Sequence, residues 1–166
     1  MRTPLRNLVF DATASRSVIL IRLMVGLVFI SEGLQKFLFP GELGPGRFDK
    51  MGFAQPNIAY FVAFFELTCG AFLIPGLLTR AAAIPLIIDM ATAIVTTKLP
   101  ILAGHDLWGF HVRKLPEYGF WAMAHESRTD WAMLLGSVFL LIVGAGRWSV
   151  DAVIQRSRAA PAQTKG

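Results

Sequence analysis

Five ionisable residues, Arg22, Glu32, Lys36, Glu66 and Asp89, stand inside stretches that are otherwise apolar. Insertion scales assign roughly 2.5 to 3.5 kcal/mol to an Arg, Lys or Asp at the centre of a membrane helix, so five unpaired groups would approach about 15 kcal/mol. Such groups persist when they face one another, a cavity or a partner subunit. With everything ionised, the two cations and three carboxylates leave a charge of minus one, to be met by a bound proton or a mobile cation. The chemistry open to this set is proton handling beside a redox molecule, or binding of a polar ligand. The plainer alternative is that the charges pair and fix helix register. Glu32 precedes Lys36 by four residues, the spacing of a helical ion pair.

A second set lies between 100 and 130, where His105, His111 and His125 accompany Asp106, Glu126, Trp108, Tyr118, Trp121 and Trp131. The histidine spacings fit no common zinc template, so no metal site is assigned. The aromatics read as a belt at a membrane interface. An outer pocket for a quinone, formed by His105, Trp108, His111 and His125, would use the same segment. Cys69 is the sole cysteine, which leaves no dithiol relay within the chain, and it reads as a packing residue. No Gly-rich phosphate loop, nucleophile elbow or CxxC occurs, which argues against nucleotide hydrolysis, esterase and dithiol chemistry.

These residues need elements to hold them, and the composition names the kind. The chain has 166 residues, 54% hydrophobic and 16% charged, with a mean hydropathy of +0.54; soluble domains carry about 25% charge. Four apolar runs at 17–39, 57–78, 81–97 and 131–146 are each long enough to cross a bilayer, the two shortest barely. The expected fold is all-α: a polytopic membrane protein with a four-helix transmembrane bundle. Pro40 and Gly41 end the first run, a tight hairpin through Thr79 and Arg80 joins the second to the third, and the third stops near Lys98-Leu99-Pro100. Ser127 and Asp130, three apart, predict a cap on the last helix.

Helical spacing puts Arg22, Gly26, Glu32, Gly33, Gln35 and Lys36 on one half of the first helix. It gives the second a small-residue face of Ala59, Ala63, Glu66, Cys69 and Gly70, with Phe61, Phe64, Phe65 and Phe72 turned to lipid. The third presents Ala82, Pro85, Asp89, Thr92, Ala93 and Thr96, and the fourth Ala132, Gly136, Ser137 and Gly144. Small residues allow close helix contact. The net charge of +5 is read as topology rather than nucleic-acid binding, and the distribution of Lys and Arg favours both termini inside. Residues 1–16 form an amphipathic cytoplasmic segment, 17–151 the membrane domain and 152–166 a basic cytoplasmic tail.

The segments RLMVGLVFISEGLQKF (22–37), FELTCGAFLIPGLLTR (65–80), AAAIPLIIDMATAI (81–94) and GAGRWSVD (144–151) together resemble the DoxX family of small bacterial membrane proteins. The resemblance covers about residues 17–151. It implies a four-helix bundle in the bacterial cytoplasmic membrane and association with oxidoreductase systems, some relatives being subunits of a thiosulfate to quinone oxidoreductase. It carries over Arg22, Lys36, Glu66 and Arg80 as matched motif positions rather than as catalysts. The expectation is a membrane subunit of a quinone-linked redox complex, with a quinone as the possible cofactor and a redox enzyme subunit or a second copy as partner in the lipid bilayer. Electron carriers would belong to the partner, since no flavin, Fe-S or haem motif is present. The alternatives are a non-enzymatic scaffold or assembly factor and, with no inverted repeat in view, a small-solute or proton carrier.

Overall fold

A computed structural model describes residues 15–159. Most of the amphipathic segment expected at 1–16, and the end of the basic tail, lie outside the described residues. Within them the chain is helical: α1 (Val18–Leu38), α2 (Pro45–Lys50), α3 (Ile58–Leu73), α4 (Thr79–Ala93), α5 (Leu99–Ala103), α6 (Phe120–Glu126), α7 (Arg128–Val143) and α8 (Val150–Ala159). The only extended pairing among the described residues is an isolated bridge between Leu107 and Phe110. Two helical stretches, Val18–Leu38 and the continuous Thr79–Ala103, are long and apolar enough to cross a membrane; α3 is a shorter apolar helix.

The four long helices close into a ring, with α1 against α3 and α7, and α4 against the same two. Glycine makes the first of these contacts possible. A Cβ on Gly26 would lie 2.9 Å from the Gly70 carbonyl oxygen, and one on Gly33 would lie 2.8 Å from that of Ala63. No real side chain tolerates such distances, so the backbones of α1 and α3 touch where glycine permits it. Val25, Phe29, Leu73, Leu86 and Leu140 fill the core from all four helices. Outward-facing Leu20, Leu27, Phe61, Ile88, Leu135 and Ile142 are exposed.

Several boundaries differ from expectation. The third run does not stop at Pro100, because a π-helical turn over Ile94–Lys98 precedes it and the helix continues to Ala103. Proline lacks a donor and crowds the carbonyl four residues back, and the wider π turn accommodates that. Thr92, Thr96 and Thr97 donate their hydroxyls to the carbonyls of Ile88, Thr92 and Ala93. The α3 to α4 turn falls at Pro75–Leu78, with Gly76 and Leu78 at positive φ of 70° and 49°; Thr79 and Arg80 already belong to α4. Ser127 makes no cap, its hydroxyl reaching back to Ala124 O at 3.4 Å. Phe65 and Phe72 pack on the core instead of facing outward, because α3 is flanked on both sides. Ala132 is exposed while Met133 takes the buried position. The start of the expected tail is the ordered helix α8.

Candidate functional site

The tight contact at Gly33 also sets the site, since its Cβ position lies 3.1 Å from Glu66 Cβ. One turn further along α1, Lys36 reaches across to α3 and donates to both carboxylate oxygens of Glu66, at 2.8 and 2.7 Å. Lys36 and Glu66 are 7% and 2% exposed. The expected Glu32–Lys36 ion pair does not form; Lys36 meets only the Glu32 carbonyl, at 3.5 Å, because the lysine turns inward and the Glu32 carboxylate stays at the rim. Asp89 of α4 faces Glu66, and its Oδ2 is buried with no hydrogen-bond partner.

Beside this cluster the four helices line an open cavity of about 660 Å³. Phe29, Phe61, Phe65, Met90 and Met133 give it apolar walls, Phe48 and Phe53 a cover from α2 and the following loop, and Lys36, Glu66 and Asp89 a polar floor. Glu32 lies at its edge. Phe61 of α3 and Ile88 of α4 line it and are also exposed on the outer flank, so the cavity reaches the surface between these helices. A second ion pair, Lys98 to Asp130 at 3.3 Å, lines it with both side chains largely buried. Sequence reasoning put Lys98 in a loop and Asp130 in a cap. The first misplacement follows from ending the third helix at Pro100; Asp130 lies in the first turn of α7 as expected but pairs with Lys98 instead of capping.

Arg22, expected in the same cluster, is separated from it. It precedes Lys36 by fourteen residues, about 21 Å of helix rise, and is 1% exposed rather than extended to an interface. Its Nη2 donates to the Trp148 carbonyl at 2.7 Å, and its guanidinium occupies the space a Cβ on Gly76 would need. Asp151 supplies the opposing charge and accepts the Leu78 and Thr79 amides at 2.8 and 3.0 Å. It therefore caps α4 from α8. Ser149 caps α8 itself by accepting the Ala152 amide at 3.1 Å. Arg80 donates to the Ile142 carbonyl near the end of α7, at 3.0 Å. The matched family positions Arg22 and Arg80 thus hold helix ends together, and the motif Gly146-x-x-Ser149-x-Asp151 builds the partner surface of Arg22.

His105, Trp108, His111 and His125 are exposed and none lines the cavity. Trp108, 72% exposed, sits at positive φ at the tip of a turn closed by Leu107 and Phe110. That turn docks on the cavity's cover through His111 N to Met51 O at 3.1 Å and the Phe53–Phe110 contact at 5.2 Å. Among the described residues no group of three or more His, Cys, Asp or Glu is placed to hold a metal ion. His111 Nδ1 and the Val112 amide donate to Asp106 at 2.7 and 2.8 Å, and the His111 bond first, then that of Val112, hold its carboxyl below the usual carboxylate range. A depressed carboxyl contributes stability above its unfolded pKa and loses it as pH falls through the folded value. Carboxyl NMR titration is therefore expected to place Asp106 below a free aspartate, and His111→Ala to move it back up.

The sequence of the DoxX family matches residues 17–99. A relative in Mycobacterium tuberculosis (strain ATCC 25618 / H37Rv), named "Uncharacterized membrane protein Rv3486", is 52% identical over 138 residues, 81% of this chain and 79% of its own length. No solved structure is significantly similar to the chain. The family match, across half of the chain, and the membrane-protein relative show that the chain belongs to the DoxX family of membrane proteins.

Proposed function

We propose that the chain is a four-span protein of the bacterial cytoplasmic membrane that binds a quinone-type molecule as the membrane subunit of an oxidoreductase complex. The observation that carries this reading is the cavity of about 660 Å³ beside the Lys36, Glu66 and Asp89 side chains. Its volume falls within the range of small-molecule sites, and aromatic walls around a few convergent polar groups are the usual lining of such sites. Its flank between Phe61 and Ile88 would open into the acyl chains, the route by which a lipid-soluble ring enters. The exposed apolar faces of all four long helices suit lipid contact. The 16 residues of α3 rise about 24 Å, and the helical dihedrals of Asn57 and Ile74 extend it toward the roughly 30 Å of a hydrocarbon core. Arg16, Arg80, Arg147 and Arg156 gather around the Arg22 end of α1, which favours that end as cytoplasmic. Electron carriers reside in a partner subunit.

Purification from native membranes followed by extraction is expected to yield bound quinone or its quinol, and Glu66→Gln to lower quinone-linked turnover by those membranes at unchanged protein level. Protein free of quinone and quinol together with unaltered turnover in Glu66→Gln defeats the proposal, while a fall in abundance alone returns the cluster to scaffolding.

A further inference from the structure

The hydrogen-bonding capacity left open beside Asp89 is one-sided. Lys36 directs its amine at both Glu66 oxygens, at 2.8 and 2.7 Å, and more distantly at the Glu32 carbonyl, at 3.5 Å, so its donors are turned toward these groups. Thr92 and Thr96 give their hydroxyl protons to backbone carbonyls and retain only lone pairs. Asp89 lines the cavity, its Oδ2 has no hydrogen-bond partner, and the groups beside it are the Lys36 ammonium, which is directed at Glu66 and the Glu32 carbonyl, and the Glu66 carboxyl. Lys98 has donors to spare, but it follows Asp89 by nine residues, about 13 Å along the helix. Arg47 stands at the exposed rim.

From this inventory we infer that the deep end of the cavity selects a neutral lipid-soluble molecule whose head donates a hydrogen bond, a phenol or quinol, with Asp89 as the acceptor that determines specificity. The inference rests on the cavity being a ligand site, as proposed above, and adds which head group it takes. A carboxylate or phosphate head would meet Glu66 and Asp89 with like charge. An ether or quinone carbonyl would bring another acceptor to groups already short of donors, leaving buried polar atoms unpaired. A phenol hydroxyl supplies the missing proton donor, and its ring meets Phe29, Phe61 and Phe65. Between the two redox forms of a quinone, the reduced one fits, because only it donates.

The test is titration of the full-length protein in detergent micelles with a 4-alkylphenol and with its O-methyl ether, followed by intrinsic tryptophan fluorescence and by the shift in thermal unfolding. The two probes share shape and apolar area and differ in one donor. The phenol is expected to bind about tenfold or more tightly than the ether, the value of a hydrogen bond to a charged group, and Asp89→Leu to reduce that preference to about twofold or less. Equal binding of the two probes to the wild-type chain overturns the inference and leaves the cavity reading standing, as does an undiminished preference in a folded Asp89→Leu. Binding of neither probe overturns both. The wild-type comparison decides the matter even if the variant fails to fold.

Discussion

Replacing Glu66 with leucine is expected to destabilise the protein by about 3 kcal/mol, near the lower end of the roughly 3 to 5 kcal/mol that follows when one member of a buried ion pair is removed. The cost arises from what is left behind. Lys36 is 7% exposed, and without Glu66 its remaining contact is the Glu32 carbonyl at 3.5 Å. Asp89 faces the same space and takes over part of the charge, which sets the value toward the lower bound. The double variant Lys36→Met, Glu66→Leu removes both charges and fills similar volume, so it is expected to recover most of the loss. Reversible unfolding in mixed micelles, monitored by circular dichroism, measures all three proteins. A single variant as stable as wild type means that the pair is solvated, and the cavity then lacks the dry floor on which its ligand reading depends. A stable double variant that no longer binds the phenol separates the pair's role in binding from its role in holding α1 to α3.

How much of this was legible beforehand depends on which physical quantity the sequence exposes. The penalty for charge in apolar runs singled out Lys36, Glu66 and Asp89, and small-residue spacing identified the α3 face, with Ala59, Ala63, Glu66, Cys69 and Gly70 all buried. Arg22 was grouped with them because a helical projection reports angle and not height. It shares the inward side of α1 with Lys36 yet lies about four turns away. Lys98 was missed for a local reason, since Pro100 signals a stop and nothing in the sequence announces the π turn that carries the helix past it, and with it went its pairing with Asp130. The helix α8 was missed because its polar and basic residues read as a tail; its stability comes from partners distant in sequence, through the amides of Val150 and Asp151 on the carbonyls of Pro75 and Gly76.

The two polar groups at opposite ends of α1 therefore differ in kind. Around Arg22 the space is full: a guanidinium against Gly76, a carboxylate on two amides, a capped helix. Around Lys36 a void remains; unpartnered buried polar atoms occur at both ends, Asp89 Oδ2 here and Arg22 Nε and Nη1 there, so the void is what distinguishes them. A polar group that exists only to join helices has no use for such a space, whereas a binding site requires it. This contrast within one protein favours assigning ligand chemistry to the Lys36 end and architecture to the Arg22 end.

That division predicts a large but purely structural effect at Asp151. Asp151→Ala strips the acceptor from the Leu78 and Thr79 amides and removes the charge opposing Arg22, which is 1% exposed with its Nε and Nη1 already lacking partners. The expected loss is about 3 to 5 kcal/mol, since an uncompensated buried charge and two unsatisfied donors act together. Asp151→Asn keeps one acceptor without the charge and is expected to fall between. Because Arg22 and Asp151 belong to one network, Arg22→Met combined with Asp151→Ala should cost less than the sum of the two single changes. Release of α8 should also open the chain to trypsin at Arg147 and Arg156, which makes limited proteolysis an independent measure. At a temperature where Asp151→Ala remains folded, its affinity for the phenol should equal that of wild type, because the cavity lies near the other end of α1. A matching loss of binding would mean that the two ends are mechanically coupled and that the α3 to α4 turn positions Glu66 and Asp89 as well.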